Sequence, residues 1–203
     1  MTAEVQPHRP QTGFKQDRKP RADALAICDN LAGILDEIGV AHEFLGSIRR
    51  CKPTVGDLDI MLVTDDGADP YLFTAILRRM TGHHLHVRLT GSRWLSVVVD
   101  GFLCEFKQTT PEQAGAARLM MTGSGVFNIG MRAFAKRQGY KLNQYGLFIR
   151  DTDQLVASRT EQDIFAAMGV EYVPPQERIE FHPVADPFAG YEAPVLDDEL
   201  AFV

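Results

Sequence analysis

Apolar residues recur at helical spacing between Asp23 and Gly39, with Leu25, Cys28, Leu31, Leu35 and Ile38 on one stripe. The pattern predicts a helix with Asp23 as its N-cap and Gly39 as its stop. Residues 41–45 read as a short strand running into Gly46-Ser47, with Arg49 and Arg50 in the first turns of a following helix. Residues 57–64 form a second strand and 70–81 a helix. Three β-rich runs follow at 86–89, 93–99 and 102–107, the last two joined by Asp100-Gly101, a strong hairpin signal. The pattern then turns helical over 111–121 and 124–138, broken at Thr122-Gly123. A small hairpin follows around Asn143-Gln144, and a helix opens at Thr160, with Asp163 placed as in a capping box. These elements predict an α+β fold, a mixed sheet with flanking helices over 23–110 and a smaller helical subdomain over 111–178. Residues 1–22 are expected to be a basic arm without fixed structure, and 179–203 an acidic tail.

Charge divides the 203-residue chain unevenly, although its net charge is −6. Between Gln113 and Arg150 there is no acidic residue, while Arg118, Arg132, Lys136, Arg137, Lys141 and Arg150 are basic. After that the sign reverses, and Arg159 and Arg178 are the only Lys or Arg. Such a basic run reads equally as a solvated face and as a surface that tracks phosphates. The tail ends in acids followed by Leu200, Phe202 and Val203, which suits a solvated end, a screen for the basic stretch or a docking peptide for a protein partner. Cys28, Cys51 and Cys104 are odd in number and lack CxxC spacing, so they are expected to be reduced thiols of a cytosol-like compartment. No apolar run is long enough to span a membrane.

The run "FLGSIRRCKPTVGDLDIMLV" carries the chemistry. In a strand Asp57 and Asp59 share one face, and Leu58, Ile60 and Leu62 the other. Two carboxylates so close repel unless a cation lies between them; DxD by itself also suits a solvated strand end. The surroundings favour a site. Gly46-Ser47 at a strand-to-helix junction offers backbone N–H groups and a hydroxyl to an anion, Arg50 reaches the same place, and Gly56 lets backbone approach a ligand closely. Phosphate donors upstream of paired acids suit a metal-chelated nucleoside triphosphate, with two divalent ions roughly 3.5–4 Å apart.

The segment "GSIRRCKPTVGDLDIML" closely resembles the palm signature of the family X DNA polymerases, within the nucleotidyltransferase superfamily. "MTGSGVFNIGMRAFAKRQGYKLNQYGLF" resembles the thumb of that family, and "TEQDIFAAMGVEYVPPQER" its closing block. The resemblance implies a nucleotidyltransferase palm followed by a thumb, and DNA polymerase activity on primer-template or gapped DNA with a dNTP and two Mg²⁺ ions. It implies a monomer that fills gaps in repair, in a bacterium or in the host cell of a virus or phage. By resemblance, Asp57 and Asp59 would ligate both ions. Glu105, on the strand after the hairpin, would take the third carboxylate position, with Asp100 as the rival. The family norm there is aspartate, and the extra methylene implies a retuned metal site, with Mn²⁺ as the alternative ion, or slow chemistry. Gly46, Ser47, Arg50, Gly56, Gly123, Ser124 and Asn128 fall at nucleotide-binding positions, and Arg132, Lys136, Arg137 and Lys141 at DNA-binding ones. Met120 and Met121 stand where the family carries Tyr-Phe against the sugar, which leaves the choice between dNTP and rNTP open; two core methionines account for them equally. Gln144 replaces a thumb glutamate, and Trp94 is read as packing in the sheet. The lyase domain of larger members is not expected. Transfer to a non-DNA acceptor and a catalytically impaired DNA-binding relative are the alternatives.

Overall fold

The computed structural model describes residues 17–183. Five strands form the main sheet in the order β2 (Ala41–Phe44), β4 (Asp57–Val63), β7 (Phe102–Thr109), β6 (Trp94–Val99) and β5 (Leu85–Thr90). β4 and β7 run parallel and the other pairs antiparallel, so the sheet is mixed. α1 (Arg21–Ile38) and α3 (Leu72–Arg79) cover one face. There Leu31, Leu35, Phe73 and Ile76 meet Leu58, Ile60, Leu62, Leu95, Val97 and Phe106 in one core. The period-2 alternation of β4 produces this directly: Leu58, Ile60 and Leu62 point into the core and the aspartates point away.

α4 (Ala114–Thr122) crosses the reverse face, where Ala114, Ala117 and Met121 pack on Leu45 and Met61. Its small residues permit this close seat. A Cβ on Gly115 would collide with the backbone of Thr160, so the same helix also abuts the start of α6 (Glu161–Ala167). α5 (Gly125–Arg137), the three-stranded sheet β8 (Tyr140–Asn143), β9 (Gly146–Ile149) and β10 (Leu155–Ala157), and α6 enclose a second core around Phe127, Met131, Phe134, Leu147 and Phe165. The fold is therefore α+β, a palm followed by a thumb.

The termini depart from expectation. α1 begins at Arg21 rather than after Asp23, which lies inside its first turn. Ahead of it β1 (Lys19–Pro20) pairs with β3 (Thr54–Val55), and the Arg21 N–H donates to the Pro53 carbonyl at 3.0 Å. A tertiary contact thus satisfies a helix-start donor that a side-chain cap was expected to satisfy. Residues 17–22 of the arm are consequently structured, while Arg9 and Lys15 lie outside the described residues. The expected tail also begins inside the fold. The Phe181 ring packs on Phe127 and Phe134, edge-on to Phe127 with centroids 5.4 Å apart, just beyond the fully buried Arg178 that ends the expected thumb. The rest of the tail, 184–203, lies outside the described residues. Cys28, Cys51 and Cys104 are free thiols, and among the described residues no helix is long and apolar enough to cross a membrane.

Candidate active site

Parallel pairing of β4 with β7 sets Asp59 directly beside Glu105, and Asp57 beside Leu103. Neighbours in a ladder share a face, so all three acids stand on the side of the sheet away from the core. Asp100, the rival for the third position, is at the hairpin with φ +48° and hydrogen-bonds His83 at 2.6 Å, so it is excluded from this group. Burial, joined by the charges of Asp57 and Glu105, raises the Asp59 carboxyl to about 7 against Lys107 and Arg50, which pull it down. Burial likewise raises Glu105; Lys107 Nζ, 4.0 Å from Glu105 Oε2, opposes the shift. Oxygen donors of this kind suit hard cations such as Mg²⁺ and Mn²⁺. Their chemistry and strand register fit such an ion. Among the described residues, however, no three His, Cys, Asp or Glu side chains are gathered to hold one.

A cradle of polar groups adjoins Asp59. Gly46, at φ +56° and opening the one-turn helix α2 (Gly46–Arg49), lies so close that a Cβ there would collide with Asp59 Oδ2. Gly46→Ala should therefore cost about 1–2 kcal/mol of stability from the left-handed backbone alone. By displacing Asp59 it should also lower any turnover about a hundredfold; a thermal melt and a turnover assay check both. Among the described residues Ser47 Oγ and Arg50 Nε are buried without a hydrogen-bond partner, which is costly unless a ligand completes them. Arg50 also donates from Nη1 to the Thr122 carbonyl and lies against Gly123, whose Cβ would sit 3.1 Å from that nitrogen. Burial lowers the pKa of this guanidinium, while Asp59 and Asp57 oppose the shift.

Arg18 is the residue that sequence reasoning misplaced, as part of a basic arm without fixed structure. Its Nε donates to Thr54 Oγ1 at 2.9 Å and its Nη2 to the Thr54 carbonyl. Nη1 lies 3.6 Å from where a Gly56 Cβ would be, and its charge is felt by Arg50. A second guanidinium thus flanks the cradle. The β1–β3 pairing that brings it there leaves no periodic signal in two-residue strands.

The thumb residues are distributed differently. Ser124 caps α5, accepting from the Phe127 N–H at 3.2 Å, and donates to the Ile179 carbonyl at 2.7 Å. Asn128 Nδ2 donates to the Met120 carbonyl at 2.7 Å, and its Oδ1 is buried without a partner among the described residues. Asn128, Arg132 and Lys136 fall four apart along one line of α5. Arg137 lies over the Phe134 ring, and Lys141, on β8, pairs with Asp153 instead of joining the line. Met121 is buried under α4, and Met120 packs partly against the thumb core.

One acid gathers donors from both palm and thumb. Glu161 accepts from Arg49 at 2.8 and 2.7 Å, from Arg178 at 2.7 Å and from Tyr172 at 3.1 Å. Burial would raise its carboxyl, but the hydrogen bonds from Arg49 and Arg178 and their charges outweigh that and hold it at about 2. Gln144 is exposed at the hairpin tip, away from this group.

The thumb family described as "DNA polymerase beta thumb" matches residues 117–179. The DNA polymerase/3'-5' exonuclease PolX of Bacillus subtilis is 28% identical over 173 residues, which is 83% of this chain and 30% of that protein. The Repair DNA polymerase X of African swine fever virus (isolate Pig/Kenya/KEN-50/1950) is 26% identical over 140 residues, 66% of this chain and 79% of the viral one. DNA polymerase lambda of Rattus norvegicus is 28% identical over 199 residues, covering 80% of this chain and 33% of the rat protein. The chain thus spans about a third of the bacterial and rat relatives and most of the viral one.

Proposed function

The chain belongs to the family X DNA polymerases, and from that premise we propose that it adds nucleotides, directed by a template, to a DNA 3′-hydroxyl in repair. The observation that supports this reading most is the β4–β7 register, which sets Asp59 beside Glu105 next to a cradle of unsatisfied phosphate donors. Asp57, Asp59 and Glu105 would hold two divalent ions together with the triphosphate, and those ions would supply charge neutralisation and a more acidic attacking hydroxyl. Ser47, Arg50 and Arg18 bind the phosphates, and Gly56 leaves them room. Burial of Asp59 keeps its carboxyl poorly hydrated and ready to bind a cation. Gly123 joins the cradle to the thumb, where Asn128 offers an unsatisfied oxygen to the incoming nucleotide. The line from Asn128 to Lys136 follows the templating strand.

A second reading, a DNA-binding relative with impaired chemistry, draws on the longer Glu105 side chain and on the acids' failure to converge. Single-nucleotide gap filling by the wild type and Glu105→Asp, in Mg²⁺ and in Mn²⁺, separates the two. The proposed function predicts templated addition by the wild type, and roughly a hundredfold change in Glu105→Asp as the carboxylate moves by about 1 Å. Gapped DNA bound without addition by either protein in either metal would establish the second reading instead.

A further inference from the structure

The edge strand β2 sets Glu43 opposite Met61. Glu43 therefore stands on the face of the palm sheet that α4 crosses. On α4, Ala114, Arg118 and Thr122 follow one line at one-turn spacing. Arg118 gives both arms of its guanidinium fork to Glu43, from Nε to Oε2 at 2.7 Å and from Nη2 to Oε1. One turn on, Thr122 accepts from Arg49 Nη1 at its hydroxyl, 2.7 Å away, and from Arg50 Nη1 at its carbonyl. The segment from Glu43 to Arg50 thus grips the C-terminal half of α4 at three points. The same segment carries Gly46, Ser47 and Arg50 of the cradle.

Three guanidiniums crowd this half of α4, and each needs its own counter-charge. Glu161 is taken by Arg49 and Arg178. Hydrogen bonding to Glu43 raises the Arg118 pKa against burial, and the charges of Glu43 and Glu161 add to the rise. Arg49 and Arg118 repel one another. Without Glu43, Arg118 is drawn toward Glu161 and competes with Arg49 for it. Arg49 shares Thr122 with Arg50, so disturbing one disturbs the anchor of the other. The Arg118 and Glu43 side chains keep 25% and 37% of their exposure, and a pair so open to water adds little to stability. Its two-pronged geometry supplies placement instead. We infer that Glu43 is a positioning residue for the nucleotide: by holding Arg118 it fixes α4 where the Thr122 carbonyl aims Arg50 into the cradle. Neither residue falls in the three motif blocks. The inference rests on the nucleotidyl-transfer reading, because it takes the cradle as the triphosphate site.

Equilibrium binding and turnover test it together. Wild type, Glu43→Gln, Arg118→Met and the exchanged pair Glu43→Arg with Arg118→Glu are titrated with dATP and Mn²⁺ by calorimetry, without DNA so that no turnover occurs. The same proteins are then assayed in single-nucleotide gap filling opposite a template thymine. Glu43→Gln and Arg118→Met should each weaken dATP binding about tenfold. Each should raise KM for dATP by a like factor and leave kcat within about twofold of wild type, the split expected when binding common to ground and transition states is lost. Melting midpoints should stay within about 3 °C of wild type. The exchanged pair should recover most of the affinity. Glu43 sits at the sheet edge, so Glu43→Gln reads the inference even where Arg118→Met fails to fold. Unchanged dATP affinity in Glu43→Gln, a loss that the exchanged pair does not recover, or a fall in kcat with KM unchanged overturns the positioning role and leaves the polymerase reading standing. Failure of wild type to bind dATP takes both down.

Discussion

Glu161→Ala is expected to destabilise the protein by about 3–5 kcal/mol, the usual cost of removing one partner from a buried ion pair. Arg178 is fully buried, with Phe127, Phe165 and Tyr172 rings about its guanidinium at 5.4–5.7 Å, and Glu161 is its carboxylate partner. Arg49 loses a bidentate partner at the same time, which cuts the tie between α2 and α6. For a domain of this size the melting midpoint should fall by roughly 10 °C. The pH dependence has a definite sign. The folded carboxyl is held at about 2, below the ordinary 4.5, so its stabilising contribution is present above pH 4.5 and disappears as pH falls toward 2. Wild type should lose about 3 kcal/mol over that window from this group alone. Glu161→Gln should be less stable at pH 7 and show a flatter decline in acid. Urea melts at pH 7, 5, 4 and 3 check both; a Glu161→Ala midpoint equal to wild type at pH 7 would sink the assignment.

Asp59→Asn should have the opposite effect on stability and a severe one on activity. In the metal-free protein the folded carboxyl titrates at about 7, well above the ordinary 3.8. Its contribution to stability is therefore full below pH 3.8 and is lost as pH rises through 7, where the buried group must ionise among other acids. Asparagine keeps the shape without that charge. At pH 8 the variant should melt several degrees above wild type, and by pH 5 most of the difference should be gone. Gap filling should nevertheless fall at least a thousandfold, since no remaining group can replace this oxygen donor between the cradle and Glu105. Greater stability with lost activity is the usual mark of a residue kept for function. Calorimetry without metal, paired with single-turnover extension, reads both halves.

What could be read from the chain follows its periodicities. The alternation in β4 located the apolar face, the Asp100-Gly101 turn located the β6–β7 hairpin, and Thr160 capped α6 as its spacing foretold. Spacing from the motif blocks also brought Glu105 level with Asp59, which only the parallel β4–β7 register makes physical. Contacts without period were not legible. Two-residue strands pin Arg18 to Thr54, and the alternation of Asp23 with apolar residues looked like a helix start although Pro20 precedes the true first turn. Acid content made the segment from Ile179 onward resemble a tail, yet Phe181 is anchored by aromatic rings contributed from α5. The hydroxyl of Ser124, read as a nucleotide contact, serves a helix cap and the Ile179 carbonyl. Lys141 was placed among the DNA-binding positions with Arg132, Lys136 and Arg137, and the β8 strand sets it off the α5 line that carries Arg132 and Lys136.

Asp57, Asp59 and Glu105 should close around divalent ions when a triphosphate fills the cradle beside them. Titration of Mn²⁺ followed by electron paramagnetic resonance, with and without a non-hydrolysable dNTP analogue, addresses it without any turnover. Wild type should bind Mn²⁺ tightly only when the analogue is present, and the binding should weaken at least tenfold in Asp59→Asn and in Glu105→Gln. Equal Mn²⁺ affinity in wild type and both variants, with the analogue bound, would contradict it.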